Sequence, residues 1–175
     1  MENSILRRHK RIVDIAVIGL FAAIISVLSI LPLPIVIMGV PATLQTFAIA
    51  LTGMTLGRRR GVGAIVIYIL IGMVGLPVFS AGRTSFEALL GLTGGFIWGF
   101  IPMVYLCGKS NFAINLAGLL ICHICGIVQF VLVTDMGIKA ALLTVSLPFL
   151  IKDIIMVSIA YMVSKKIKKT GILHK

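Results

Sequence analysis

Charge is what this chain has little of. Only 12% of its 175 residues are Asp, Glu, Lys or Arg, against about 25% in soluble domains. With 59% hydrophobic residues and a mean hydropathy of +1.16, that scarcity excludes a soluble domain and indicates an integral membrane protein. Cysteine is scarce as well. Cys107, Cys122 and Cys125 all fall in or beside apolar runs, which suits small packing residues and not a disulfide framework. CHIC (122–125) lacks the C-x-x-C-H order of haem attachment and has no second pair of ligands, so it reads as a buried packing cluster and no metal site is expected. No G-x-x-x-x-G-K-[ST] loop is present, and the glycine-rich LTGGFIWG (92–99) has no following Lys, so ATP is not hydrolysed here by that route. No Ser–His–acid or paired-carboxylate pattern suggests hydrolysis. No enzyme activity and no cofactor are expected.

Long apolar runs are what the chain does have. A helical span needs about 20 mainly apolar residues. Six candidates follow: 13–31, 40–57, 62–79, 88–107, 112–134 and 138–164. The first is too long for a signal-peptide core and carries no clear cleavage site, so it reads as a retained span. The last is expected to bend or break near Pro148, which has no N–H to give. The fold class expected is an all-α integral membrane protein, a compact bundle of six transmembrane helices. One domain fills residues 1–175, with basic tails at about 1–12 and 165–175.

The net charge of +11 sits in short clusters between the spans, a pattern of membrane orientation and not of nucleic-acid binding. Placing the N-terminus in the cytoplasm puts Arg7, Arg8, Lys10, Arg11, Arg58, Arg59, Arg60, Lys109, Lys165, Lys166, Lys168, Lys169 and Lys175 inside. Only Arg83 and Lys139 fall in the outer loops. Both termini are therefore expected in the cytoplasm.

Glycines recur four apart, at Gly53 and Gly57 and at Gly91, Gly95 and Gly99, with Gly118, Cys122 and Gly126 alike; such spacing lets helices approach closely in lipid. Gly19, Ala22, Ala23 and Ser26 form a similar stripe on the first span, which could serve a partner helix. PFLIKDIIMV (148–157) places Lys152 beside Asp153 inside an apolar run. A mid-membrane charge costs about 2.5–3.5 kcal/mol on insertion scales, so such residues face a bundle interior or a wet cavity. Snorkelling to the outer interface is the competing reading. Adjacent helix residues point about 100° apart, so the two charges are expected to meet different partners. Thr43, Gln45 and Thr46 reach the same outer level, as do Phe79, Arg83 and Glu87 in the loop 76–95. Thr43 and Thr46 read equally well as helix-end polarity, and Arg83 as a solvated loop charge. Together these residues have the makings of a small-molecule pocket.

GVPATLQTFAIALTGMTLG (39–57), GLPVFSAGRTS (75–85), GLTGGFIWGF (91–100) and PFLIKD (148–153) resemble the biotin-specific substrate-binding subunits of energy-coupling-factor transporters, in the same order and over most of the chain. The resemblance implies high-affinity capture of biotin from the outer face of a prokaryotic cell membrane. It also implies a transmembrane coupling subunit and two cytoplasmic ATPase subunits as partners. The first-helix stripe Gly19, Ala22, Ala23 and Ser26 is the matching docking face. Two departures stand out. The loop after P-V-F is often glycine-rich but here reads SAGRTS. The last motif often reads P-G-D with Lys three residues later, whereas here Lys152 precedes Asp153 and Met156 holds the later position. By this resemblance the substrate-binding residues are Thr43, Gln45, Phe79, Arg83, Gly95, Phe96, Lys152 and Asp153. Asp153 could accept from a ureido N–H, and Gln45, Thr43 or a backbone N–H could donate to the ureido carbonyl. Phe79 and Phe96 could cover the thioether ring, and Lys152 or Arg83 could meet the carboxylate. The competing class is an independent proton-coupled secondary transporter of a small anionic solute, with Lys152, Asp153 and Glu87 as relay.

Overall fold

The computed structural model describes residues 2–37, 40–82, 84–109 and 111–170. Helix α1 spans Glu2–Ile30. Strands β1 (Pro32–Ile37) and β2 (Val40–Thr43) pair antiparallel, with Val36 opposite Pro41 and Ile37 opposite Val40. Helix α2 covers Gln45–Met73. A short tight turn at Ser80–Gly82 leads to α3 (Ser85–Leu90), α4 (Gly94–Cys107) and α5 (Phe112–Thr134). The last stretch is α6 (Ile138–Ala141), a widened π turn (Leu142–Ser146) and α7 (Leu147–Lys169).

Helix α2 is two arms folded back on each other. Gly57 has φ 77° and ψ 179°, outside helical space, a conformation in which a β-carbon is strained. Residues eight apart in a straight helix lie about 12 Å apart along the axis. Here a β-carbon at Gly61 would sit 3.3 Å from the Gly53 Cα. Residues 45–56 and 58–73 are thus antiparallel, and with α1, α4, α5 and α6–α7 they make the six long helical passes expected.

The pass lengths differ from expectation. Leu6–Ile30, Phe112–Thr134 and Ile138–Lys169 are long and apolar enough to cross a membrane, while α4 is shorter. The expected spans 40–57 and 62–79 begin late and end early, because 40–43 belong to the hairpin and α2 stops at Met73. Pro32, Pro34 and Pro41 deny a helix its amide donors, and Ile35, Val36 and Ile37 favour extended chain. The purely α reading is therefore corrected by one short two-stranded ribbon. The expected span 88–107 breaks between α3 and α4. The last span does deviate next to Pro148. The missing Pro148 N–H cannot cap the Thr144 carbonyl, and the π turn lies just before it.

The basic clusters gather at one end, as their alternation requires. Arg60 pairs with Asp14 of α1 at 2.6 Å. Arg58 lies over the Tyr105 ring, and Lys165 over Tyr161, whose ring meets Phe112. The hairpin, the Ser80–Gly82 turn, α3 and the π turn occupy the other end.

Small residues let the passes close up. At Gly53 a β-carbon would lie 2.5 Å from the Val104 carbonyl, at Gly99 2.8 Å from the Cys122 Cα, and at Gly95 it would run into the Cys125 carbonyl. Gly19 has open space beside it. The α1 stripe divides here: Ala22 and Ser26 are buried against the core, whereas Gly19 and Ala23 are exposed. The face a partner helix could reach narrows accordingly to Gly19 and Ala23. Gly95→Ala should lower the stability of the detergent-solubilised chain by about 1–3 kcal/mol, since it overpacks against backbone. Gly19→Ala should leave it unchanged; thermal unfolding of the two variants checks the contrast, and equal midpoints would refute this packing.

Candidate functional site

At the end away from the basic clusters the bundle closes around a cavity of about 340 Å³, within the small-ligand range of about 300–1,000 Å³. Its walls come from β2, the start of α2, the Phe79–Ser80 stretch, α3, α4, α5, the π turn and α7. Its lining combines polar groups (Thr43, Gln45, Thr46, His123, Lys152, Asp153) with aromatic rings (Phe79, Phe96, Phe100, Phe130, Phe149).

The polar lining is tightly organised. Asp153 and Lys152 are nearly buried, with side chains 9% and 13% exposed, and Lys152 Nζ lies 2.6 Å from Asp153 Oδ1. This corrects the expectation that the two charges meet different partners. Their Cα–Cβ directions do diverge, but the four-carbon Lys stem is long enough to curl back. The two form a close, nearly buried ion pair. His123 of α5 stands across from them, its Nε2 3.4 Å from Asp153 Oδ2 and its Nδ1 2.9 Å from Ser146 Oγ. Ser, His and Asp thus meet in space, although no sequence pattern announces it. Ser146 is buried behind the ring and does not line the cavity, so it has no access to a bound molecule as a nucleophile.

Gln45 opens α2 with its Nε2 donating to Tyr68 Oη at 2.7 Å, and Tyr68 Oη donates to the Val78 carbonyl at 3.2 Å. One hydroxyl therefore ties the first arm of α2, the second arm and the loop before Phe79. Phe79 is fixed edge-on to Tyr68, ring centroids 5.5 Å apart, over Gly72. Phe96 leans on Gly126 and presents its edge-on face to His123 at 5.4 Å. The Thr43 hydroxyl accepts from the Gln45 N–H at 3.4 Å, so the helix-end reading of Thr43 holds beside its place in the wall.

Six of the eight expected substrate-binding residues line the cavity: Thr43, Gln45, Phe79, Phe96, Lys152 and Asp153. Gly95 does not; it lies against Cys125 and Gln129 of α5 and lets Phe96 reach inward. Arg83 lies outside the described residues. Glu87, wanted for a proton relay, is exposed and lines a neighbouring cleft that shares Ala88, Leu92 and Thr93 with the cavity. His123 was read as packing; a lone histidine inside an apolar run was the available signal, since ionisable groups there face interiors. Phe100, Phe130 and Phe149 had none, because aromatics at helix spacing look like core.

A bundle of apolar helices closed around a cavity lined by buried charges and aromatic rings defines a small-solute-binding protein of membrane type. The sequence profile of the BioY family matches residues 1–172, and the chain belongs to that family. It is 35% identical over 158 residues to the biotin transporter BioY2 of Lactococcus lactis subsp. cremoris (strain MG1363), covering 85% of this chain and 86% of that protein. It is 30% identical over 175 residues to the biotin transporter BioY of Rhodobacter capsulatus, covering 88% and 92%. Among solved structures it matches the crystal structure, at 2.1 Å, of the S-component for biotin from an ECF-type ABC transporter, with TM-score 0.83. That match covers 95% of this chain and 96% of that one at 21% identity, a likeness of fold.

Tyr68→Phe removes the hydroxyl that Gln45 needs and should cost about 1–3 kcal/mol of stability by stranding a buried amide donor. Thermal unfolding in detergent measures it; an unchanged midpoint would mean the tie is idle.

Proposed function

We propose that this chain captures biotin from the outer face of a prokaryotic cell membrane. It does so with high affinity as the substrate-specific subunit of an ATP-driven energy-coupling-factor transporter. The observation that carries the reading is the cavity itself, which a buried carboxylate, an ammonium and an imidazole line together with aromatic rings. Biotin has matching parts: a ureido ring with two N–H donors, an apolar thioether ring and a carboxylate tail. Asp153 accepts from a ureido N–H, a charge-assisted bond of about 1.5–3 kcal/mol. Phe79 and Phe96 cover the thioether ring, with Thr43 beside them, and Lys152 leaves Asp153 to meet the tail carboxylate. The names of the relatives support the ligand, and the S-component fold supports the role.

In this reading the basic end of the bundle faces the cytoplasm, both termini included. The cavity then opens outward. ATP is hydrolysed by two partner subunits, and the transmembrane coupling subunit docks on the exposed Gly19–Ala23 side of α1.

Calorimetric titration of biotin into the detergent-purified chain from biotin-starved cells tests the reading. Tight one-to-one binding is expected, with Asp153→Asn weakening it roughly 10- to 100-fold. Lys152→Met should weaken biotin but leave biotin amide, which lacks the carboxylate, within about threefold. A folded chain that takes up no biotin would refute the proposal.

A further inference from the structure

Two nearly buried atoms at the cavity are incompletely satisfied within the protein: Asp153 Oδ1 meets Lys152 Nζ alone, at 2.6 Å, and His123 Nε2 has no partner of good hydrogen-bond geometry. Such atoms are rare in folded proteins and call for a ligand or a strain. They belong to neighbouring groups, since His123 Nε2 stands 3.4 Å from the other oxygen of the same carboxylate. A carboxylate only accepts, so the ring nitrogen that faces it carries the proton. Nδ1 is then the lone-pair atom and takes the Ser146 hydroxyl proton across 2.9 Å. A doubly protonated ring would leave Nε2 a donor all the same. The edge-on Phe96 contact at 5.4 Å holds the ring plane. The cavity thus sets one N–H donor beside one acceptor, in a fixed orientation. The molecular edge that fits has a C=O next to an N–H, as in a cyclic urea. The other amide donor at the wall, Gln45 Nε2, has one of its two N–H groups tied to Tyr68.

We propose that His123, held by Ser146, donates its Nε2–H to the carbonyl of the bound urea ring while Asp153 accepts from the adjacent N–H. This assignment rests on the biotin reading above. It replaces Gln45 with His123 as the carbonyl donor and makes His123 the residue that tells a urea from its imine analogue.

The test is calorimetry on the full chain with biotin and with 2-iminobiotin, whose protonated imine donates where biotin's carbonyl accepts. His123→Leu should weaken biotin about 30-fold and iminobiotin less than about threefold, because the lost N–H opposed the second ligand. His123→Gln keeps an N–H and should hold biotin within about fivefold of the unaltered chain. If His123→Leu does not fold, Ser146→Ala carries the test, with the biotin-to-iminobiotin preference falling at least about threefold. Equal losses for both ligands would make His123 a packing residue and overturn the assignment alone. No biotin binding by the unaltered chain would instead overturn the biotin reading, and this assignment with it.

Discussion

The ionic contact between Lys152 and Asp153, 2.6 Å long and almost dry, constrains the rest of the bundle. Two charges removed from water must be compensated by each other and by every nearby dipole. Their mutual attraction alone rarely repays that cost. The surroundings make up the difference: His123 lies against one carboxylate oxygen, and Thr46 and Gln45 lie in the same wall. A charged pair left incompletely satisfied is poor architecture for stability alone. It is good architecture for a site, because a ligand that brings its own donors and its own anion completes both halves at once.

That demand explains why the irregular backbone collects at one end. The hairpin, the Ser80–Gly82 turn, the break between α3 and α4 and the π turn all surround the cavity. Non-helical chain is costly in an apolar medium unless it lines a cavity or is buried in protein. The π turn shows what the irregularity does. It widens the helix where Thr144 and Val145 enter the wall, and it turns Ser146 onto His123. At the opposite end a positive-φ glycine, Gly57, reverses the chain between the two arms of α2.

Much of this was legible from sequence because the membrane reading rests on sums, and sums survive local error. Low charge and alternating basic clusters identified six passes although three boundaries were misplaced. The PFLIKD stretch pointed to the cavity because a charge in an apolar run has few places to go. What stayed hidden depends on side-chain reach and on partners far away in sequence. The curl of Lys152 back onto Asp153 is not a property of helix angles. The link from His123 to Ser146 spans 23 positions. On α1, spacing marked a stripe of small residues but could not say that the packing of α2 would cover Ala22 and Ser26 and leave Gly19 and Ala23 outside. The hairpin was hidden for another reason: an apolar run with prolines was weighed by hydropathy when its missing amide donors should have decided.

Helix α1 contributes no side chain to the cavity wall. It packs on α2, with Ile18 against Gly63 of the second arm, and Arg60 of that arm pairs with Asp14. Under the proposed function, a partner docked on the outward side of α1 is felt at the cavity through α2. Two ties make α2 a suitable relay. Its first arm begins at Gln45 in the cavity wall, and its second arm holds Gln45 and Phe79 through Tyr68. A small tilt of the second arm, pushed from α1, would therefore move the Gln45–Tyr68–Val78 tie and the ring of Phe79 together. Coupling of that kind needs no rearrangement of the charged pair itself, which sits on α7 across the cavity. Under the proposed function, the ring of Phe79 and the charged anchor are thus carried by different parts of the fold, and the two can shift against each other.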